Sequence, residues 1–440
     1  MPRDTLNRDI LRLAVPALGA LVAEPLFLIV DAALVGHLGL VPLAGLGIAS
    51  AVLQTVVGLM IFLAYSTTPA VARRFGAGDP TRAVSVGIDG MWLALGIGAV
   101  LALGGYLATP FLVGLFGASA EVTQAAATYL GISMGGLPAM LIVFAATGLL
   151  RGMQDTVTPL WIAGLGFGAN ALLNWLFIYG LGWGIAGSAV GTVVAQWGMV
   201  AAYVVVIGRL ARRHAAAFRP RREGMRGSAL SGGWLFLRTL SLRVALLLSV
   251  VTATALGTEE LAGWQVVFTI FSAAAFALDA LAIAAQALIG KGLGAGDTAG
   301  VRRVLGRVSR WGVAFGVIVG AVIGGLSGVM GLVFTGDPAL AAQIQPALIV
   351  LAVAQPVAGL VFVLDGVLIG AGDAKYLAVT GLINLVCYLP LLWWVAVGGA
   401  TGAAGLAWLS VAFFGGYLLA RLVTLAWRAR GSAWMVVGAA

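Results

Sequence analysis

Charged residues are scarce in this chain. Of its 440 residues, 25 are Lys or Arg and 16 are Asp or Glu, so 9% of the sequence is charged, whereas soluble globular proteins have about 25%. Hydrophobic residues make up 61% of the chain, and the mean hydropathy is +1.06. This composition excludes a soluble multidomain enzyme, because so few charges cannot cover the surface of so long a chain in water.

Cysteine and histidine are also nearly absent. Cys387 is the only cysteine, and the chain has two histidines, which excludes a disulfide framework and leaves no zinc-binding spacing. The sequence contains no His-Glu-x-x-His motif and no nucleotide-binding P-loop. We therefore expect no enzymatic activity, no cofactor and no structural metal.

Long apolar runs are what the chain has instead. A membrane-spanning helix needs about 20 apolar residues, and these runs are too long and continuous for the alternating strands of a transmembrane β-barrel. The sequence predicts an all-α integral membrane protein with twelve spans. Their expected limits are 10–35, 43–72, 83–108, 122–150, 157–179, 186–210, 228–256, 261–289, 301–334, 341–369, 374–397 and 401–427.

The basic residues indicate an orientation. Twenty-three of the 25 fall on one side of the predicted membrane, most densely between Arg209 and Arg226, and the exceptions are Arg238 and Arg243. Because Lys and Arg are concentrated in cytoplasmic loops, we expect both termini to lie in the cytoplasm. The basic excess is explained by this orientation, so no nucleic-acid partner is expected.

The two halves of the chain resemble each other. Segments of the first half recur 218 positions later: Leu43-Ala44-Gly45 as Leu261-Ala262-Gly263, Gly76-Ala77-Gly78-Asp79 as Gly294-Ala295-Gly296-Asp297, and Gly152, Asp155 and Gly187 as Gly370, Asp373 and Gly405. The predicted domains are an N-terminal six-helix lobe at 1–212, a cytoplasmic linker at 213–227 and a C-terminal six-helix lobe at 228–440. Six spans per half make the repeats parallel, as in secondary transporters, which draw on an ion gradient.

One cluster of polar residues is predicted inside the spans of the first half. Ionisable side chains at membrane depth are functional candidates, and Asp31 lies in the outer half of the first span. Counting residues from the span ends places Asn170, Asn174 and Thr192 at the same depth. The sequence therefore predicts a proton or cation site, with Na⁺ as one option, formed by these four residues.

The first span carries further candidates. Glu24 lies seven residues before Asp31 and shares its helix face, so it is either a second titrating group or a structural one. Pro16 and Pro25 lie in the same helix, and each removes a backbone hydrogen bond and can bend the helix. We expect this helix to be a moving part.

The second half contains charges of both signs inside its spans. Arg238 and Arg243 lie in the seventh span, Asp279 in the eighth and Asp365 in the tenth, near its cytoplasmic end. Because buried charges need partners, a structural Arg–Asp pair is expected for Asp365, whereas a structural and a titrating role are equally open for Asp279. Asp279, Asp365 and Arg238 are therefore secondary site candidates.

These residues resemble a known transporter family. The similarity rests on Ala14-Val15-Pro16, Val30-Asp31-Ala32, Val35-Gly36-His37-Leu38-Gly39, Phe75-Gly76-Ala77-Gly78-Asp79, Asn170, Tyr179-Gly180 and residues 184–189. They resemble the multidrug and toxic compound extrusion (MATE) transporters. Ala277-Leu278-Asp279-Ala280 and the segment 364–373, which begins Leu364-Asp365, are similar to the DinF branch in particular.

The resemblance implies a fold and a function. It implies two six-helix bundles in a V-shaped arrangement, related by pseudo-two-fold symmetry. Such a protein would export small organic compounds, often cationic, amphipathic and drug-like, in exchange for H⁺ or Na⁺. We accordingly expect a monomer in the bacterial inner membrane, with membrane lipid and small-molecule substrates as its partners.

The resemblance also assigns residues. It implies that Asp31 is the coupling carboxylate, that Pro16 lets its helix bend, and that Asn170 and Thr192 contribute to the same site. Where many relatives have a second aspartate in the fifth span, this chain has Asn174. A dehydrated Na⁺ prefers several anionic oxygens whereas a proton needs one base, so the substitution favours H⁺.

Two alternatives stay open at the level of the sequence. The same scaffold could export or flip a lipid-linked or anionic metabolite, and a cleft lined by Arg238 and Arg243 would favour such an anionic group. An integral-membrane enzyme acting on lipid would instead need paired acids or a metal cluster at one depth facing the cytosol, and the sequence contains none.

Overall fold

The computed structural model describes residues 3–335 and 337–438, except for the side chains of residues 3, 4 and 24. Over these residues the chain is helical, and the described part contains no β-strand. Within this described part, twelve helices are long and apolar enough to cross a membrane. The predicted multi-pass, all-α membrane architecture is therefore confirmed.

The twelve helices follow the predicted spans in order. They are α1 Arg3–Gly36, α2 Leu40–Gly76, α3 Pro80–Gly114, α4 Ala120–Gly152, α5 Val157–Gly180, α6 Gly184–Arg213, α7 Arg222–Leu256, α8 Thr258–Gly294, α9 Thr298–Phe334, α10 Pro338–Gly370, α11 Ala374–Val397 and α12 Gly402–Arg430. Most helices extend beyond the apolar runs that predicted them, because polar residues outside the membrane continue the helical hydrogen bonding. Two contain wider π-helical turns, Leu176–Gly180 in α5 and Val411–Tyr417 in α12.

The sequence repeat is visible as a repeated helix contact. A Cβ atom at Gly152 in α4 would lie 2.8 Å from the carbonyl oxygen of Thr68 in α2. At the equivalent place in the second half, a Cβ atom at Gly370 in α10 would lie 2.7 Å from the carbonyl oxygen of Gln286 in α8. Both glycines allow two helices to approach more closely than any side chain would permit.

The repeated Gly-Ala-Gly-Asp segments are turns between helices. Gly78 and Gly296 adopt positive φ angles of 80° and 73°, which favour glycine. The following Asp79 and Asp297 each accept a hydrogen bond from a backbone N–H in the first turn of the next helix. The two acids therefore serve as helix N-caps.

The described chain divides into two compact units. The first comprises Val15–Gly232, and the second comprises Gly233–Gly438 together with the start of α1 up to Ala14. In the second unit, Leu13 packs against Ala284 and Ala287 of α8. The two points at which the chain passes from one unit to the other are 218 residues apart, the same offset as the sequence repeat.

This division differs from the predicted domain limits. The predicted linker at 213–227 is shorter in the structure, because α7 already begins at Arg222. The first lobe also extends to Gly232 and does not include the start of α1. Composition could not predict this, because helix contacts and not polar residues decide which unit a segment joins.

The segment between α6 and α7 is attached to α3 of the first unit. Asp89, fully buried in α3, accepts hydrogen bonds from the backbone N–H of Arg221 at 2.9 Å and from its guanidinium at 2.8 and 3.1 Å. Trp92 Nε1 donates to the carbonyl of Phe218 at 3.0 Å. The connecting segment 214–221, which we call the strap, is therefore held against α3 by these hydrogen bonds.

Candidate functional site

A buried carboxylate lies near the end of α1 in the first unit. Asp31 is 3% exposed. Its Oδ1 atom accepts hydrogen bonds from Ser188 Oγ at 2.6 Å and Asn174 Nδ2 at 2.8 Å, and its Oδ2 atom accepts one from Tyr129 OH at 3.1 Å. Helices α1, α4, α5 and α6 thus converge on one carboxylate.

The structure brings the predicted residues to this place in different roles. Asn174 contacts Asp31 directly, and the Thr192 hydroxyl lies beside the Tyr129 phenol. Asn170 is buried one turn before Asn174, with no hydrogen bond to the carboxylate. The Oδ1 atoms of both asparagines and Oγ1 of Thr192 are buried without a hydrogen-bond partner in the described chain.

Glycine positions in α6 explain how the helices come so close. A Cβ atom at Gly191 would overlap Oδ1 of Asn174, and one at Gly187 would lie 2.7 Å from the backbone of Phe177. The chain after Asn174 also widens into the π-helical turn that ends α5. Such turns occur often at functional sites, because they redirect side chains within a helix.

The surroundings of Asp31 are electrically neutral. Its three hydrogen-bond donors are hydroxyl and amide groups, and no basic side chain in the described residues forms an ion pair with it. An ionised carboxylate buried without a countercharge is costly. The arrangement is therefore suited to taking up and releasing a proton or a cation.

Ser188 and Tyr129 are site residues that the sequence analysis missed. Ser188 lies one turn before Thr192 on the same face of α6, so the spacing that selected Thr192 could have found it. Tyr129 carries no such signal, because one tyrosine in an apolar helix usually belongs to the core. The side chain of Glu24 lies outside the described residues.

A second charged group occupies the other unit. Arg238 of α7 forms an ion pair and hydrogen bond with Oδ2 of Asp365 in α10, the pair expected from the sequence. Arg421 of α12 approaches Oδ1 of Asp365 at 3.4 Å, and the charge of Asp279 also acts on Arg421. Arg243 is exposed on α7.

Arg421 corrects the sequence analysis. It was counted among the basic residues on the cytoplasmic side, although the expected span 401–427 already contains it, and the structure places it within α12 with a side chain that is 12% exposed. The apolar run extends across it, so a count of basic residues by loop could not separate it from Arg428 and Arg430.

The two units place charge at different positions of the repeat. The positions equivalent to Asp31, Asn170 and Thr192 are Ser249, Tyr388 and Ser410, where the Ser249 and Tyr388 hydroxyls share a hydrogen bond of 2.8 Å. Conversely, the equivalents of Asp365 and Arg421 in the first unit are Thr147 and Tyr203, also hydrogen-bonded at 2.8 Å. In each unit, one of these two sets of equivalent positions contains charged residues and the other contains only neutral ones.

The comparison with protein families explains the repeat. The MatE family model matches the chain twice, at residues 16–176 and 235–394. The chain belongs to the MatE family of membrane transporters. Each half of this MatE protein thus contains one copy of the family domain, in agreement with the resemblance seen in the motifs.

Curated relatives of this MatE protein come from plants and bacteria. Protein DETOXIFICATION 44, chloroplastic, from Arabidopsis thaliana is 30% identical, over 96% of this chain and 82% of its own length. DNA damage-inducible protein F from Escherichia coli is 29% identical, over 66% of this chain and 64% of its own length. Multidrug resistance protein NorM from Burkholderia vietnamiensis is 30% identical, over 91% of this chain and 89% of its own length. Similarity to the DinF branch is therefore confirmed.

Solved structures show the same fold. A Vibrio cholerae MATE transporter, VcmN, matches with a TM-score of 0.88 and 20% identity, over 98% of this chain and 99% of that chain. At this identity the likeness shows the fold alone, and it confirms the predicted twelve-helix MATE fold.

Proposed function

We propose that this protein is a secondary active antiporter that exports small organic compounds in exchange for H⁺, with Asp31 as the coupling carboxylate. The observation that carries the proposal is the buried, uncompensated carboxylate held by three neutral donors. Its charge can be balanced only by a proton or cation taken from solution, and such exchange is what couples transport to a gradient.

The hydrogen bonds favour H⁺ over Na⁺. Two donors occupy Oδ1 of Asp31 and one occupies Oδ2. A carboxylate has about four lone-pair sites, so room remains for one proton at Oδ2. A sodium ion would have to displace donors and then coordinate Asn170, Asn174 and Thr192 through their unpartnered oxygens.

Pro16 is proposed as the bending point of α1. It lies two residues after Ala14, where α1 passes from the second unit to the first. The missing N–H of proline removes one hydrogen bond of the helix there. Protonation of Asp31 further along α1 would change its bonds to Ser188 and Asn174, and α1 would bend at Pro16 as the transporter alternates between its two open states.

Cationic, amphipathic drug-like compounds are the proposed substrates. The support is the similarity to NorM, a multidrug resistance protein, together with the abundance of Phe, Trp and Met in this chain. We further propose a monomer in the bacterial inner membrane with both termini in the cytoplasm, in accordance with the distribution of basic residues.

The test is Asp31→Asn in proteoliposomes with an imposed pH gradient. In the wild type, the pH gradient should accelerate efflux of a cationic dye such as ethidium. In the variant, the gradient should no longer change the rate of efflux. Glu121→Gln is the matched control, because Glu121 is an exposed acid in the first turn of α4. Varying Na⁺ at constant pH separates the two ions, and unimpaired pH-driven efflux by Asp31→Asn would remove this residue from the mechanism.

A further inference from the structure

Arg421 is a buried guanidinium with almost no polar partner. Its side chain is 12% exposed, and among the described residues its one ion pair is with Asp365, at 3.4 Å. No side-chain hydrogen bond is formed by its guanidinium to any described residue. A guanidinium offers five N–H donors, and leaving them without acceptors inside a membrane protein is costly.

The neighbouring carboxylates do not satisfy these donors. Oδ2 of Asp365 is already taken by the hydrogen bond from Arg238. The charge of Asp279 acts on Arg421, but Asp279 does not line the cavity that Arg421 faces. The cavity wall therefore carries two guanidinium groups and a single carboxylate.

A small, partly open cavity lies against Arg421, with room for about one water-sized group at a time. Its polar lining comprises Arg238, Ser241, Asp365, Thr380, Asn384 and Arg421. Three of these donors are already used, since Ser241 and Thr380 donate to backbone carbonyls and Asn384 donates to Thr424. The guanidinium of Arg421, by contrast, donates no side-chain hydrogen bond to a described residue.

A second unused donor lies nearby. The hydroxyl of Tyr417 is buried without a hydrogen-bond partner in the described chain. The charges of both Arg421 and Arg238 act on this phenol. Two buried donors without acceptors, beside a cavity lined by two guanidinium groups and one carboxylate, point to an acceptor that is not part of the chain.

We infer that this cavity in the second unit is a binding subsite for a carboxylate group. A planar carboxylate matches the fork of a guanidinium and can accept two of its N–H bonds. The cavity accommodates one carboxylate oxygen, and the second oxygen and the remainder of the ligand lie at its open side. The carboxylate belongs either to a free small acid or to a larger organic compound that carries one.

The location suits loading of an exported compound. Arg421 lies about 28 Å along α12 from Gly402, whereas Asp31 lies about 8 Å from the end of α1 at Gly36. With the proposed orientation, the carboxylate subsite is near the cytoplasm and the coupling site is near the outside. This assignment of the carboxylate to a cargo rests on the proposed export function, but the binding itself does not.

Calorimetric titration of the purified full-length protein in detergent tests the inference. The probes are benzoate, acetate and the neutral benzyl alcohol. We expect benzoate to bind and benzyl alcohol to bind far more weakly. Equal affinity for acetate would indicate recognition of the carboxylate alone and thus a free acid, whereas weaker acetate binding would indicate that the apolar body of a larger compound also contributes.

Variants locate the binding. Arg421→Gln should weaken benzoate affinity at least about tenfold, because a charge-assisted hydrogen bond is lost. Tyr417→Phe should weaken benzoate binding less. Asn384→Asp should abolish it, because aspartate is as large as asparagine but places a negative charge in the cavity wall. Arg428→Gln is the control, since Arg428 lies on the same helix but pairs with Asp373 outside the cavity.

Asp31→Asn should keep full benzoate affinity, so failure of the antiport proposal and failure of this one give different results. Thermal unfolding of each variant shows whether it is folded, and Tyr417→Phe removes only an unpartnered hydroxyl. Benzoate binding that is absent in the wild type, or unchanged in both Arg421→Gln and Asn384→Asp, would overturn the inference. Displacement of benzoate by chloride at equal concentration would show a halide site and overturn the assignment to a carboxylate.

Discussion

The amide oxygen of Asn174 in α5 lies directly against the backbone of Gly191 in α6, where a side chain would overlap it. This contact leaves the amide nitrogen of Asn174 free to donate to Asp31 at 2.8 Å. The absence of a Cβ atom at one position of α6 thus determines which way an amide in α5 points, and it helps to hold the carboxylate of α1.

Gly191→Ala should therefore impair coupling without removing a polar group. The new methyl group must displace Asn174, and the loss of one hydrogen bond to a charged group corresponds to about a tenfold or greater effect. We expect pH-driven efflux in proteoliposomes to fall by about that factor. Gly198→Ala on the same helix is the matched control, because a Cβ atom there meets nothing within 4 Å; equal effects of the two substitutions would contradict the prediction.

Pro16→Ala should slow transport while leaving substrate binding intact. Alanine restores the backbone N–H that proline lacks, so α1 gains a hydrogen bond and resists bending. The initial rate of dye efflux should fall, whereas the affinity for the dye, measured by equilibrium binding in detergent, should stay the same. Pro110→Ala, near the end of α3, replaces an exposed proline that lies away from the unit boundary. It should leave the rate unchanged, and a rate unaffected by Pro16→Ala would rule out this bending point.

Asp89→Asn should release the strap between α6 and α7. The substitution removes the charge that holds the guanidinium and the backbone N–H of Arg221. Trypsin should then cut the segment 214–221 faster by about tenfold, in line with the loss of a buried charged hydrogen bond. Glu223→Gln removes an exposed acid next to the strap and should not change the rate, so equal cleavage of the two variants would show that Asp89 does not hold the strap.

Asp365→Asn should destabilise the second unit strongly. Removing one partner of a buried ion pair costs about 3–5 kcal/mol in the free energy of unfolding, because an uncompensated charge stays buried. An exposed pair contributes about 0–1 kcal/mol, so Arg303→Gln, which breaks the half-exposed pair with Asp297 at 3.9 Å, serves as the reference. Unfolding in detergent measures both, and comparable losses would show that the pair around Asp365 is not structural.

The site in the first unit could be predicted in part. Asp31, Asn174 and Thr192 stand out because polar groups are rare in apolar helices, and residue counting along straight helices places them at one depth. Counting along a helix says nothing about the angle at which a side chain faces its neighbours. Asn170 was therefore grouped with the ligands of Asp31 although it makes no bond to it, and Tyr129 was not found.

The scarcity of charge, the long apolar runs and the 218-residue repeat by themselves determined a twelve-helix membrane protein built from two copies of one domain. These are properties of local hydrophobicity and of duplication, which do not depend on how helices pack. Only the tertiary structure decided that Arg421 lies beside Asp365, and that α1 and α7 each contribute to both units. It also decided that Ser188 and Tyr129 complete the site of Asp31, because hydrogen bonds between distant helices depend on packing that a single stretch of sequence does not contain.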